Sequence, residues 1–156
     1  MSETAATPFG DRELRAARWY ALALRDRQRA SDAAAGDPEA AVFFYQQAAE
    51  KALKAVLVRA DQAFGRTHSL DRLLVLAGRL DPAFLRCPGD PERVSAYATR
   101  FRYPAEDGDD SAHEEDVAAA RTVADWLVTA AGEGLAGPVA DLAGRMAADR
   151  RRGGPS

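Results

Sequence analysis

The residues best placed to do chemistry in this chain lie in one short stretch, Gln46, Gln47, Glu50, Lys51 and Lys54, inside "AAVFFYQQAAEKALKAVLVRA". The two lysines are the only lysines present. Side-chain amides can read the hydrogen-bonding edge of a base, and ammonium groups can neutralise a phosphate. At about 100° per residue these five positions cover an arc of about 140° on a helical wheel. Opposite them stand Phe44, Tyr45, Ala48, Ala49, Ala52, Ala55 and Val56. Glu50 sits between the lysines and cancels part of their field. Glu50 and Lys54 also form an i,i+4 pair in the favourable order, so the same residues suit a solvated helix face. Periodicity leaves a ligand surface and a solvated face both open.

Two further constellations carry chemistry. Arg66, Thr67 and His68 stand just ahead of an expected helix start, where free N–H groups and the helix dipole can hold an anion. A local packing or capping role for His68 fits the same position. Arg100 and Arg102 flank Phe101, with Tyr103 beside them, so a cation and a ring could hold a phosphate and stack a base. The same group could equally close the bundle as an ion pair and an apolar plug. His113 follows the acidic run "AEDGDDS" and is read as an ordinary titrating surface group. Other chemistries find little support. The histidines and Cys87 are scattered, which gives no metal cluster, and "EDGDDSAHEED" lacks the ordered spacing of a calcium loop. Cys87 lies between Arg86 and Pro88 with no histidine nearby in sequence, which argues against a catalytic thiolate. No cofactor or metal is expected.

The elements that must position these residues are helical. Alanine and leucine dominate a chain that is 47% apolar, and no alternating β-branched run suggests a sheet. One all-α domain is expected. A first helix runs from about Asp11 to about Ala35, with Leu14, Ala17, Ala21, Leu24 and Gln28 as its stripe. "GDPEA" restarts the chain, with Asp37 as N-cap and Pro38 at the first helical position. This second helix, to about Asp61, carries the polar block. A third starts near Ser69 with Leu70, Leu73, Leu74 and Leu80 facing inward. Asp90 and Pro91 cap a short fourth helix, which Pro104 ends. Ser111 and Glu114 form a capping box for a long helix to about Ala131, with Val117, Ala120, Ala124, Leu127, Val128 and Ala131 inward. A short amphipathic helix and a frayed basic tail follow. The reading is an antiparallel bundle of four to five helices over residues 9–131, with a C-terminal extension, 132–156, that contains one short extra helix.

A net charge of -3 argues against a general nucleic-acid coat protein. One cysteine permits no internal disulfide, the start "MSETAATPFG" has no signal-peptide pattern, and no apolar run is long enough to span a membrane. A cytoplasmic protein with no membrane partner is expected.

"FYQQAAEKALKAVLV", then "RTHSL", then "RYP" resembles the HEPN domain family (higher eukaryotes and prokaryotes nucleotide-binding). Its helix reads close to F-x-x-Q-Q-A-A-E-K-A-L-K-A, followed by T-H-x-L and R-Y-P in that order. The match spans about residues 11 to 131. The resemblance implies a helical bundle, usually a homodimer, often encoded beside a minimal nucleotidyltransferase as half of a toxin–antitoxin pair. Other members bind nucleotides, and many cleave RNA without a metal, using an arginine separated from a histidine by four to six intervening residues, at the dimer cleft. That motif is missing here. Before His68 the required positions hold Asp61, Gln62 and Ala63, and before His113 they hold Glu106, Asp107 and Gly108. The expectation is therefore a binding module engaging a nucleotide, an RNA or a nucleotidyltransferase partner without cutting, through Gln46, Gln47, Lys51, Lys54, Arg66, His68, Arg100, Arg102 and Tyr103. A ribonuclease toxin with an altered site and a ligand-free helical scaffold are the alternatives.

Overall fold

The structure, a computed structural model, describes residues 8–102 and 112–152. Among the described residues six α-helices pack against one another: α1 (Asp11–Ala33), α2 (Pro38–Arg59), α3 (Leu70–Leu80), α4 (Pro91–Arg102), α5 (Glu114–Gly134) and α6 (Gly137–Arg152). No strand occurs among the described residues. The expected connector between the third and fourth helices contains a 3-10 turn, Pro82–Arg86.

Local capping chemistry sets three of the starts. Asp37 Oδ1 accepts from Ala40 N at 3.2 Å, Ser69 Oγ from Arg72 N at 3.3 Å and Asp90 Oδ1 from Arg93 N at 3.1 Å. Each satisfies an N–H that the first helical turn leaves without a partner. The expected Ser111 cap falls outside the described residues. The helix begins instead after His113, where Asp116 reaches back to the His113 N–H at 2.9 Å.

α2 is the centre of the fold, in contact with α1, α3, α4 and α5. From Ala48 to Val58 every residue except Lys51 is buried. Ala48, Ala49, Ala52 and Ala55 are fully enclosed, as are Ala16 and Ala17 on α1. Side chains this small let helix axes approach closely. Two hydroxyls tie the bundle across helices: Tyr20 donates to the Val128 carbonyl at 2.8 Å, and Tyr45 accepts from Arg121 Nε at 2.9 Å.

The inward stripe of α5 is the expected one, buried from Val117 to Ala131. That of α1 is rotated: Ala16, Ala17, Tyr20, Ala21 and Ala23 are buried, Leu14 and Leu24 only partly so, and Gln28 is exposed. Leu80, the last residue of α3, is also exposed rather than inward, where the helix ends and no further turn covers it. The extra C-terminal helix expected after residue 134 is α6, 16 residues long; residues 153–156, the place of the expected tail, lie outside the described residues. α6 lays Val139, Ala143 and Ala147 against α1, and Arg25 holds it by donating to the Met146 carbonyl at 2.7 Å.

Candidate functional site

The polar block of α2 is not a surface. Because α2 is surrounded, its polar arc turns inward, and Gln46, Glu50 and Lys54 are all buried, with Gln47 and Lys51 half-buried. Buried polar groups must find partners within the protein, and here they find one another. Glu50 Oε1 accepts from Lys54 Nζ at 2.7 Å and lies 2.8 Å from His68 Nδ1. Its Oε2 accepts from Gln46 Nε2 at 3.1 Å. The Gln46 amide also donates to the His68 carbonyl at 3.3 Å, and Gln47 Nε2 donates to Gln46 Oε1 at 2.8 Å. Gln46, Lys54 and His68 thus meet on Glu50, and Gln47 joins them through Gln46.

Burial pushes the Glu50 carboxyl up, but the hydrogen bonds from Lys54 and His68, the Lys54 charge and the Gln46 amide together outweigh it. The net result lies below the usual carboxylate range. An ionised Glu50 has only acceptors, so the proton at that contact belongs to His68 Nδ1. In the neutral ring, Nε2 is then the acceptor. The His68 side chain is 76% exposed, so the core carboxylate orients a ring that water and solutes reach.

Lys54 also lies 5.4 Å from the ring centroids of both Trp19 and Phe64. Lys51 has a different partner. It donates to Asp26 of α1, which is 1% exposed and also accepts from Arg29 at 3.0 Å. Neither lysine is therefore an open charge on a cleft wall.

A cavity of about 240 Å³ adjoins the network, lined by Phe43, Gln46, Gln47, His68, Ser95 and Thr99 together with Ala98. It lies where α2, the turn ahead of α3 and α4 meet. Ser95 Oγ accepts from Leu70 N at 3.3 Å, which ties the start of α3 to α4. The structure brings Gln46, Gln47 and His68 to this cavity and leaves Lys51 apart. Arg66 is exposed on the turn. Arg100 stacks on Tyr97, 5.0 Å from the ring centroid, while Arg93 Nε and Nη2 donate to the Tyr97 hydroxyl at 2.9 and 2.7 Å. Arg102 closes α4, and its side chain lies outside the described residues, as does all of Tyr103.

Sequence reasoning did not name Asp26, Phe43, Ser95 or Thr99. The i,i+4 spacing of Ser95 and Thr99 on one face of α4 was a usable signal. For Asp26 there was none, since an aspartate inside an Arg-rich helix reads as solvated. Among the described residues no group of His, Cys, Asp and Glu is placed to hold a metal ion. Nor is any helix long and apolar enough to cross a membrane. Burial pushes the Cys87 thiol up to about 11, which leaves it protonated near neutral pH.

A carboxylate–lysine–histidine network on the Q-Q-A-A-E-K-A-L-K-A helix meets the loop that carries T-H-S-L, and the sequence model of the HEPN domain matches residues 16–132. The chain belongs to the HEPN domain family. Comparison with curated proteins and with solved structures finds no match in either. The HEPN match takes in α1 from Ala16 through most of α5, including the whole Glu50 network and the His68 cavity. α6 lies beyond it, an addition packed on the HEPN core.

Proposed function

We propose that this HEPN chain is a binding module: a homodimer that engages a nucleotide or RNA, or a nucleotidyltransferase partner in a toxin–antitoxin-type system, and that does not cut RNA. The observation that carries the nucleotide half is the cavity at His68, where two amides, an imidazole and two hydroxyl-bearing residues converge. Such groups match the donors and acceptors of a base edge or a phosphate. At about 240 Å³ the cavity is smaller than the ~300–1,000 Å³ typical of sites that enclose a drug-sized ligand. It suits one base or phosphate of a ligand that continues across the surface. The dimer and the nucleotidyltransferase rest on family resemblance alone. The missing arginine before either histidine supports binding without cleavage.

Melting of the purified protein against a panel of nucleotides and a short RNA, with a gel assay of that RNA in parallel, tests this reading. A ligand at 100 times its Kd stabilises the fold by about 2.7 kcal/mol, so the melting temperature rises while the RNA stays intact. Gln47→Ala and His68→Ala remove the shift. No shift with any nucleotide or RNA refutes the reading and leaves a helical scaffold.

A second reading, a ribonuclease with an unusual site, has one observation in its favour. A buried carboxylate that holds Nδ1 and leaves the rest of an exposed imidazole accessible is the arrangement of a histidine general acid–base. RNA cleavage lost in both His68→Ala and Arg102→Ala decides for it.

A further inference from the structure

A second cavity, of about 420 Å³, opens between α1 and the segment that leads from α2 toward His68. Its walls include Arg15 and Trp19 from α1 and Asp61, Gln62 and Phe64 from the chain that leaves α2. Arg12, Arg15 and Trp19 follow at helical spacing, so α1 presents two guanidinium groups and an indole along one face. Opposite, α2 ends in a tight reversal. Gln62 N donates to the Leu57 carbonyl at 2.8 Å and Asp61 N to that of Val58 at 3.1 Å, with Asp61 at φ 57°. This is a Schellman closure with aspartate where glycine is usual. The reversal swings Phe64 against Trp19, edge to face, with centroids 6.4 Å apart and planes at 84°. Both rings remain only half-buried. Arg12 reaches Asp61 at 3.2 Å across the mouth.

We infer that this cavity is a nucleobase subsite, in which a base stacks against Trp19 and Phe64 while its phosphate lies at the arginine rim. The inference rests on the nucleotide-binding reading given above. The chemistry favours a base over a purely apolar ligand. Aromatic faces stack any base, the Asp61 carboxylate and the Gln62 amide supply acceptors for exocyclic amines, and Arg15 supplies the cation that a phosphate needs. None of these polar groups serves an aliphatic guest.

The buried network ties the two cavities together. Lys54 Nζ lies 5.4 Å from the Phe64 centroid and 2.7 Å from Glu50 Oε1, which is itself 2.8 Å from the His68 ring. Three successive contacts thus lead from one cavity to the other. The base source is either a free nucleotide or a single strand of RNA, and both present the same stacking surface.

The chain has two tryptophans, and Trp126 lines a separate cavity beside Phe84. In a Trp126→Phe background, Trp19 emission therefore reports this subsite alone. Adenosine monophosphate and a short single-stranded RNA are each titrated, with calorimetry on the same samples. The expected result is quenching of Trp19 that saturates together with the heat. Phe64→Ala weakens binding about fivefold to a hundredfold, the range of one lost base–aromatic stack. Phe64→Leu, which keeps apolar bulk, weakens it too, with a melt to show that it is folded. Equal affinity for both probes identifies the free nucleotide as sufficient, and binding of the RNA alone identifies the strand. Heat without quenching, together with unchanged affinity in both Phe64 variants, overturns the subsite and leaves the nucleotide-binding reading intact. No heat from either probe overturns both.

Discussion

Glu50→Gln is the sharpest perturbation of the fold. It keeps the shape of the side chain and removes one charge, which leaves the Lys54 ammonium enclosed without its carboxylate. The side chains of the pair are 4% and 7% exposed, so water cannot take over as partner. Breaking such a pair on one side costs about 3–5 kcal/mol. The Trp19 and Phe64 rings, each 5.4 Å from Lys54 Nζ, retain ~0.5–2 kcal/mol of cation–π attraction. The expected loss is therefore about 3 kcal/mol, and at ~2–4 °C per kcal/mol for a domain of this size the melting temperature falls by roughly 10 °C. Replacing the pair together, Glu50→Gln with Lys54→Met, removes the stranded charge and recovers stability to within ~1 kcal/mol of the parent. Urea unfolding of the parent, Glu50→Gln, Lys54→Met and the double variant at neutral pH gives the coupling directly.

The pH dependence checks the sign. Glu50 is held below the 4.5 of an ordinary glutamate, so in the acid range the unfolded chain binds the proton that the folded chain refuses. Its stabilisation is fully present above about pH 4.5 and is lost as pH falls through the lower folded value. The gap between parent and Glu50→Gln should then close on acidification. A single variant that loses less than ~1 kcal/mol, or a double variant as unstable as the single, would falsify the account of Glu50 and Lys54 as a mutually dependent buried pair.

Three other outcomes follow from the packing. Asp61→Gly should raise the urea midpoint, since the left-handed conformation at φ 57° costs a residue with a Cβ roughly 1–2 kcal/mol. The Arg12 pair it loses is half exposed or more on both sides and worth ~0–1 kcal/mol; a lowered midpoint refutes this. Gly132→Ala and Gly78→Ala should separate in their melts. At Gly132 a Cβ would stand 2.4 Å from the Tyr20 hydroxyl, whose buried bond to Val128 is lost at ~1–3 kcal/mol, more than the ~1 kcal/mol of helix propensity gained. At Gly78 the obstacle is Leu85, which is 64% exposed and free to swing away, so that alanine is neutral or stabilising. Cys87, with its thiol pushed up to about 11, should alkylate slowly at neutral pH and faster by about tenfold per pH unit as its thiolate fraction rises; a plateau near pH 8.5, the ordinary range for a cysteine, contradicts that.

What could be read from the sequence was what acts over three or four residues. The Asp37, Ser69 and Asp90 caps are local hydrogen bonds, and the α5 stripe, although half alanine, is anchored by Val117, Leu127 and Val128, which mark the face to be buried. The α1 stripe was misjudged because its inward residues are mainly alanines. Alanine carries little hydrophobic signal, and it is buried here because close packing against α2 demands small side chains. The polar block of α2 failed for a different reason. A helical wheel shows which residues share a face, but not whether a second helix covers that face. The partners that fix the block, His68, Trp19, Phe64 and Asp26, come from other segments, and nothing in the spacing of α2 points to them.

That burial bears on what the network is for. Two charges enclosed in the middle of a core helix stabilise a fold no better than an apolar pair of similar volume, so stability alone does not account for Glu50 and Lys54. Their placement offers another account. Glu50 sets the tautomer and direction of His68 at one cavity, and Lys54 rests on the rings of the other. The double variant Glu50→Gln, Lys54→Met separates the two roles, because it is expected to fold while leaving His68 without its carboxylate. If nucleotide binding falls in that folded protein, the network exists to orient the site. If binding is unchanged, the buried charges are a feature of the core, and His68 is held well enough by its backbone contact with Gln46.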